Sequence, residues 1–377
     1  MTRLARIGFI GCGSHATQNL YPSFRLSVSN PPETGGAIGE LSEGGEIGEL
    51  VACCDLDEGR ARRCARDFGI PAVYTDHREL LEREELDGVL VAMHPRLQPG
   101  LAIDCLEAGT HVWIEKPPAE DVESCLAMKE AAERAGKHVM VGFMKRFSEP
   151  YRRARAIARR SEFGGLTAYE ARFTFGVYPP RSVYDFLNGF GCHHLDLARY
   201  FGGDVDWVFA ARASRAPGDT REWRPASLEL PVVGSAWRDM WQLAEGKEAP
   251  QEEAWTAVLG FASGAIGTLQ LNCLERLNER VALTGYRSVV FVDAWRTVTA
   301  YVGGSASPEV WEPEDQLPGD ALDPRHLHGF AGEVRHFVEC ARSGQAPDVT
   351  VDDGIAAIRL EQAMKRSVAE RRPVEVR

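Results

Sequence analysis

At 377 residues, 44% of them apolar and 26% charged, the chain has the length for about two packed domains and the balance of a globular protein. A formal charge of −12 argues against nucleic acid and anionic membranes as partners, and no run approaches the roughly 18 apolar residues of a membrane span. Nine cysteines without CxxC spacing point to reduced thiols in a cytoplasm, with no zinc signature and no metal site, and the N-terminus shows no signal-peptide pattern.

The first predicted element is a buried strand, Leu4–Ile10, followed at once by Gly11-Cys12-Gly13-Ser14-His15-Ala16. This is G-x-G-x-x-A opening a helix that runs to about Leu26. The first Gly makes the tight turn, the second admits a pyrophosphate, and Ala16 lets helix and strand pack closely. Gly11, Gly13, Ser14, His15 and Ala16 are therefore candidate dinucleotide contacts. Residues 27–49, rich in Gly, Pro, Ser and Glu, read as an insertion. A second strand, Leu50–Cys54, ends in Asp55. A carboxylate there accepts from the ribose 2′-hydroxyl of NAD, although Asp55 could instead cap the helix Glu58–Phe68. Asp57 and Arg60 nearby keep NADP in play.

The alternation continues through Val73–Tyr74, Arg78–Arg83, Gly88–Ala92, Leu101–Ala108, His111–Ile114, Val122–Ala135 and Val139–Phe143. Repeated βα units predict a Rossmann domain over residues 1–147, a doubly wound parallel sheet with ligands at its C-terminal strand ends. His94, Glu115, Lys116 and Pro117 fall at those ends.

From residue 148 to 377 the pattern changes. Ala168–Phe175, Val208–Ala213, Ala257–Phe261, Ala265–Cys273, Val281–Thr284 and Ser288–Val292 alternate as strands of a large, mostly antiparallel sheet. Helices are expected at Pro150–Arg160, His193–Phe201, Gly329–Arg342 and Asp353–Ala369. Residues 215–251 read as a second insertion. The fold class is thus α/β followed by an α+β substrate-binding domain.

A Rossmann half, Glu115-Lys116-Pro117 after the fifth strand, and His193-x-x-Asp196 on a later helix together resemble the glucose–fructose oxidoreductase / inositol dehydrogenase family (Gfo/Idh/MocA). The matching pieces are Gly11–Ala16, Val91–Gly109, Val112–Pro117, Val141–Phe147, Gly191–Gly202, Ser263–Gly267 and Glu333-x-x-x-Phe337. The resemblance implies an NAD(P)-dependent oxidoreductase moving hydride at a hydroxyl or keto carbon of a sugar, cyclitol or derivative. It also implies an open-faced sheet used to form a homodimer or homotetramer.

On that resemblance Lys116 and His193 are the catalytic candidates, sharing the hydroxyl proton of a polyol-like substrate held between the domains. An ammonium near a nicotinamide and an imidazole that titrates near neutrality both suit the task. Glu115 would orient Lys116, and Pro117 would lock the turn, with a cis bond as one option. Of His193 and His194 one is structural, because adjacent helical residues face different ways. Asp196 either bonds substrate or fixes the helix. Lys145 and Arg146 are candidate substrate contacts, with a solvated surface as the alternative. His94 either contacts cofactor or shapes its loop.

One departure stands out. The family usually has an Asp four residues before the catalytic histidine, and this chain has Gly189 there, with Asn188 and Asp185 nearby. Two other readings therefore stay open. One is a redox-neutral enzyme that retains NAD while it eliminates or epimerises; the other is a non-catalytic NAD(P)-binding regulator.

Overall fold

A computed structural model describes residues 3–29, 46–174, 186–215, 252–272, 278–294, 296–313 and 328–377. The chain divides into two compact units. The first comprises Met1–Glu149 and Glu314–Ala356, the second Pro150–Pro313 and Ala357–Arg377.

The first unit is built on β1 (Ala5–Ile10), β2 (Gly48–Cys54), β3 (Ala72–Tyr74), β4 (Gly88–Val91), β5 (His111–Ile114) and β6 (Val139–Val141). They form one sheet in the order β3-β2-β1-β4-β5-β6, every pair parallel. The order reverses between β1 and β4, where an open α/β sheet leaves its ligand crevice. β4, β5 and β6 are buried along their whole length, which is why their sequences are continuous apolar runs.

The connecting helices are α1 (Tyr21–Phe24), flanked by π turns at Ala16–Leu20 and Arg25–Ser29, then α2 (Glu58–Phe68), α3 (His77–Arg83), α4 (Gln98–Glu107) and α5 (Val122–Ala135). Three begin at an aspartate whose side chain accepts a backbone N–H: Asp57, Asp76 and Asp121. α4 starts three residues before the expected Leu101. Pro99 sits in its first turn, where the missing N–H has no helical partner to lose. β2 likewise starts at Gly48, inside the stretch read as an insertion, and residues 30–45 of that stretch lie outside the described residues.

The second unit contains α6 (Glu149–Ala158), which begins at the boundary, β7 (Leu166–Thr174), a π turn at Leu187–Gly191, and α7 (Cys192–Gly202). Then come β8 (Val205–Arg215), β9 (Glu252–Phe261), β10 (Ile266–Asn272), β11 (Asn278–Gly285), β12 (Ser288–Asp293), β13 (Thr297–Tyr301) and β14 (Glu309–Trp311). With a C-terminal β15 (Val374–Glu375) they form a nine-stranded sheet in the order β14-β13-β12-β11-β7-β10-β9-β8-β15. All pairs are antiparallel except β7 with β10. Alternate residues of β7, β10 and β11 are buried, and α7 packs on β7 and β10 on the inner face. The insertion expected at 215–251 lies outside the described residues from 216 onward.

Two helices complete the chain, α8 (Phe330–Ser343) and α9 (Val351–Glu370). α8 belongs to the first unit, where it packs against β1, α1, both π turns and the 3-10 turn Met144–Phe147.

Candidate functional site

The glycine turn has the geometry its sequence predicts. Gly11 has φ +107°, and a side chain there would meet the Ala92 carbonyl at 2.4 Å. Gly13 differs: a Cβ at that position meets no described protein atom within 4 Å. The protein itself therefore does not require glycine at 13, and the space beside it fits a closely approaching pyrophosphate.

Asp55, 8% exposed at the end of β2, reaches back to this turn. Its Oδ2 accepts the Cys12 N–H at 2.9 Å and its Oδ1 accepts the Asp57 N–H at 2.9 Å. Arg60 lies 3.4 Å from both oxygens. Capping of α2 falls to Asp57, which accepts the Arg60 N–H at 2.9 Å. Asp55 thus fastens the glycine turn to β2.

The expected Glu115-Lys116-Pro117 corner is held from three sides. The Lys116–Pro117 bond is cis. Gln98, fully buried at the start of α4, donates to the Glu115 carbonyl at 2.8 Å and the Pro117 carbonyl at 2.9 Å. His15 Nε2 meets Glu115 Oε1 at 2.7 Å. The Asn19 amide, 3.2 Å from His15 Nδ1, donates to it, which leaves Nε2 carrying the proton toward the carboxylate. His15 therefore links the phosphate turn to the Lys116 corner through its ring, a role its motif position does not announce. Burial pushes the Glu115 carboxyl up, but His15 and then Lys116 outweigh it, and the pKa lies below the usual value. Lys116 is half-buried.

His94 follows β4, and its Nδ1 accepts the Arg96 N–H at 3.1 Å, so one ring nitrogen shapes its own loop. Lys145 and Arg146 are not a solvated pair. Lys145 is 3% exposed, and Arg146 is bonded to Asp353 at 2.8 Å with both side chains largely buried.

Two residues of this unit carry no signal in the sequence for the places they take. Gln98 lies in a stretch that reads as loop. Glu333, on α8, is part of a matching segment without an assigned role. It is fully buried, and neither carboxyl oxygen has a hydrogen-bond partner among the described residues. Burial, and then the nearby Glu115, raise its pKa well above the usual value against the pull of Lys116.

In the second unit His193, His194 and Asp196 lie on α7, 6%, 0% and 1% exposed. His194 is the more deeply buried of the pair. Its ring stacks on Phe173 at 4.8 Å, and its Nε2 lies 3.2 Å from Glu279, a carboxylate that also accepts from Tyr151. Gly189 supplies no side chain where the family has its aspartate. Asn188 next to it donates to Glu361 at 2.8 Å, and Asp185 lies outside the described residues. Among the described residues no three His, Cys, Asp or Glu side chains are grouped to hold a metal ion.

Known proteins show the same two-part plan. Residues 5–143 match the model of an oxidoreductase family with an NAD-binding Rossmann fold, and residues 186–376 match its C-terminal α/β domain. Inositol 2-dehydrogenase 2 of Saccharopolyspora erythraea is 32% identical over 335 residues, covering 87% of this chain and 88% of that protein. Myo-inositol 2-dehydrogenase of Thermotoga maritima is 25% identical over 334 residues, covering 87% and 91%. A levoglucosan dehydrogenase solved with NADH shares the fold with a TM-score of 0.77, at 18% identity and full coverage of both chains. The glycine turn, the Asp55 strand end and the Lys116 corner are thus local features of a whole-chain match, and the chain belongs to the Gfo/Idh/MocA oxidoreductase family.

Proposed function

We infer that this protein is an NAD-linked dehydrogenase that oxidises a secondary hydroxyl of a cyclitol or sugar, or reduces the matching ketone. The observation that carries the reading is the Lys116 corner. A half-buried amine follows a strand end, its backbone clamped by Gln98 and its acidic neighbour held by the histidine of the nucleotide turn. Bound NAD would supply the hydride acceptor. The chain's own task is the proton: the Lys116 amine takes it from the substrate hydroxyl as the C–H bond breaks, and returns it in the reverse direction. His193 is assigned a second proton or orienting role and Asp196 a supporting one. Lys145 is assigned to the substrate, whereas Arg146 is engaged by Asp353.

Asp55 favours NAD, because its carboxylate repels a 2′-phosphate. The relatives are named as dehydrogenases, which favours net redox turnover over a redox-neutral cycle or a silent regulator. All eight cysteines among the described residues are free thiols, which supports a cytoplasmic location. Trp207, Phe209, Val258 and Ile266 share the outer face of the large sheet and are 37%, 41%, 36% and 56% exposed, which supports self-association through that face.

The test is a screen of inositols, aldoses and their ketones with NAD(H) and NADP(H), reading reduced-nicotinamide absorbance. Turnover that prefers NAD and is lost in Lys116→Ala supports the reading. Tight nucleotide binding with no turnover on any polyol overturns it in favour of a regulator.

A further inference from the structure

Helix α8 carries a carboxyl that the dehydrogenase chemistry leaves without work. Glu333 is fully buried, and neither of its oxygens has a hydrogen-bond partner among the described residues. An ionised carboxylate in that setting gives up its water and gains no donor in exchange, a state that carboxyls escape by taking up a proton.

Phe330, one turn before Glu333 on α8, packs edge-on against His15 at 5.7 Å, and His15 holds Glu115, so this face of α8 lies beside the Lys116 corner. The charges acting on Glu333 are Glu115 and Lys116, which oppose each other. The other described titratable groups on the elements packed against α8 are engaged elsewhere or point out. Arg146 pairs with Asp353, Arg6 with Glu84, Tyr21 meets Cys12, and Arg25 is exposed. Lys145, buried on the 3-10 turn, is the remaining described cation there. On α8 itself Arg335 donates to the Ser27 carbonyl at 2.6 Å and pairs with Glu339, and His336 accepts the Asp348 N–H at 2.9 Å.

We propose that Glu333 is a positioning residue for proton transfer at Lys116, held as the neutral acid so that one carboxylate, Glu115, and not two, faces the amine. This rests on Lys116 being the proton-handling group. Two carboxylates beside Lys116 would favour its ammonium form and keep the amine from accepting the hydroxyl proton. A neutral acid in the second position fills the same volume without adding that charge. Burial without a hydrogen-bond donor favours the protonated form of a carboxylic acid.

The test is an infrared difference spectrum of the full chain without cofactor, wild type minus Glu333→Gln, at neutral pH. The expected result is the C=O stretch of a protonated carboxylic acid, present in wild type and absent in the variant. Carboxylate bands in its place overturn the proposal. Raising the pH should ionise this acid at a midpoint that moves up in Lys116→Met and down in Glu115→Gln, since each removes one of the two opposing charges. Unmoved midpoints overturn it as well.

In the kinetic arm, Glu333→Ala should lower kcat with KM little changed, and Glu333→Gln, which keeps a neutral group of the same shape, should restore most of the loss. Wild-type kcat in Glu333→Ala would overturn the positioning role. The infrared arm needs no turnover. Failure of the dehydrogenase reading would therefore leave the protonation result standing, and a missing acid band would leave the dehydrogenase reading standing.

Discussion

Each unit buries a carboxylate against a histidine, and the two pairs do different work. Glu279 and His194, 1% and 0% exposed at the side chain, are sealed behind Phe173 and Tyr151. Glu115 and His15 meet at a shorter 2.7 Å, but the His15 side chain is 31% exposed and the pair adjoins the half-buried Lys116. A sealed pair ties a helix to a sheet. The other pair has one open side and a cation next to it, as the role proposed for Lys116 requires.

The contrast breaks most readily at Lys116. Lys116→Met should lower kcat by about 10²–10⁴-fold, the usual worth of a positioned acid–base group, while the melting temperature stays near that of wild type. Wild-type turnover in this variant would make the open pair as structural as the sealed one. The reverse is expected at His194. His194→Ala removes a fully buried ring stacked on Phe173 and should cost about 2–5 kcal/mol in urea unfolding. His193→Asn should act chiefly on kcat. If His193→Asn proves the more destabilising of the two, the roles on α7 are exchanged.

A smaller effect separates the two glycines of the nucleotide turn. Gly13→Val should fold normally and weaken NAD binding roughly 10- to 100-fold in calorimetry, since the added methyls compete only with the ligand. Gly11→Val should lose stability as well, because its φ and the Ala92 carbonyl leave no room. Equal folding losses in both would mean that the space at Gly13 is not kept for a ligand.

A further comparison lies within the first unit, where Glu115 and Glu333 are shifted in opposite senses. The folded pKa of Glu115 lies below the usual 4.5, so its contribution is present above that pH and is lost as pH falls through the folded value. That of Glu333 lies above 4.5, so its contribution is present below that pH and is lost as pH rises toward the folded value. The stability of Glu333→Gln relative to wild type should therefore grow by about 1.4 kcal/mol per pH unit above 4.5, read from urea unfolding across a pH series. A difference that is flat with pH would put an ionised Glu333 in the fold.

The legible parts of the sequence are those where one local pattern carries both fold and site. β1, the glycine turn and Asp55 are short-range signals, and so is Lys116 at the end of an apolar strand. Contacts made by chain return leave no such signal. His15 and Glu115 are 100 residues apart, and Arg146 and Asp353 are 207 apart. No periodicity marks Glu333 as a fully buried acid, because α8 presents it as one acidic residue in a first turn where acids are common. β14 and β15, at three and two residues, are shorter than any alternation can show, and Thr297–Tyr301, at five, is barely longer and goes unmarked. The helix expected from Leu101 starts at Gln98, with Pro99 in its first turn.

Helix α8 sets a rule for anyone recombining this protein with its relatives. Val338 packs on Gly48 and Phe337 on Gly88, each closing space beside a strand of the nucleotide-binding sheet. A cut at residue 149 would strip that cover and expose the apolar wall beneath it. Hybrid enzymes that exchange cofactor specificity should therefore carry residues 328–356 along with the amino-terminal piece, as a two-segment graft and not a single splice.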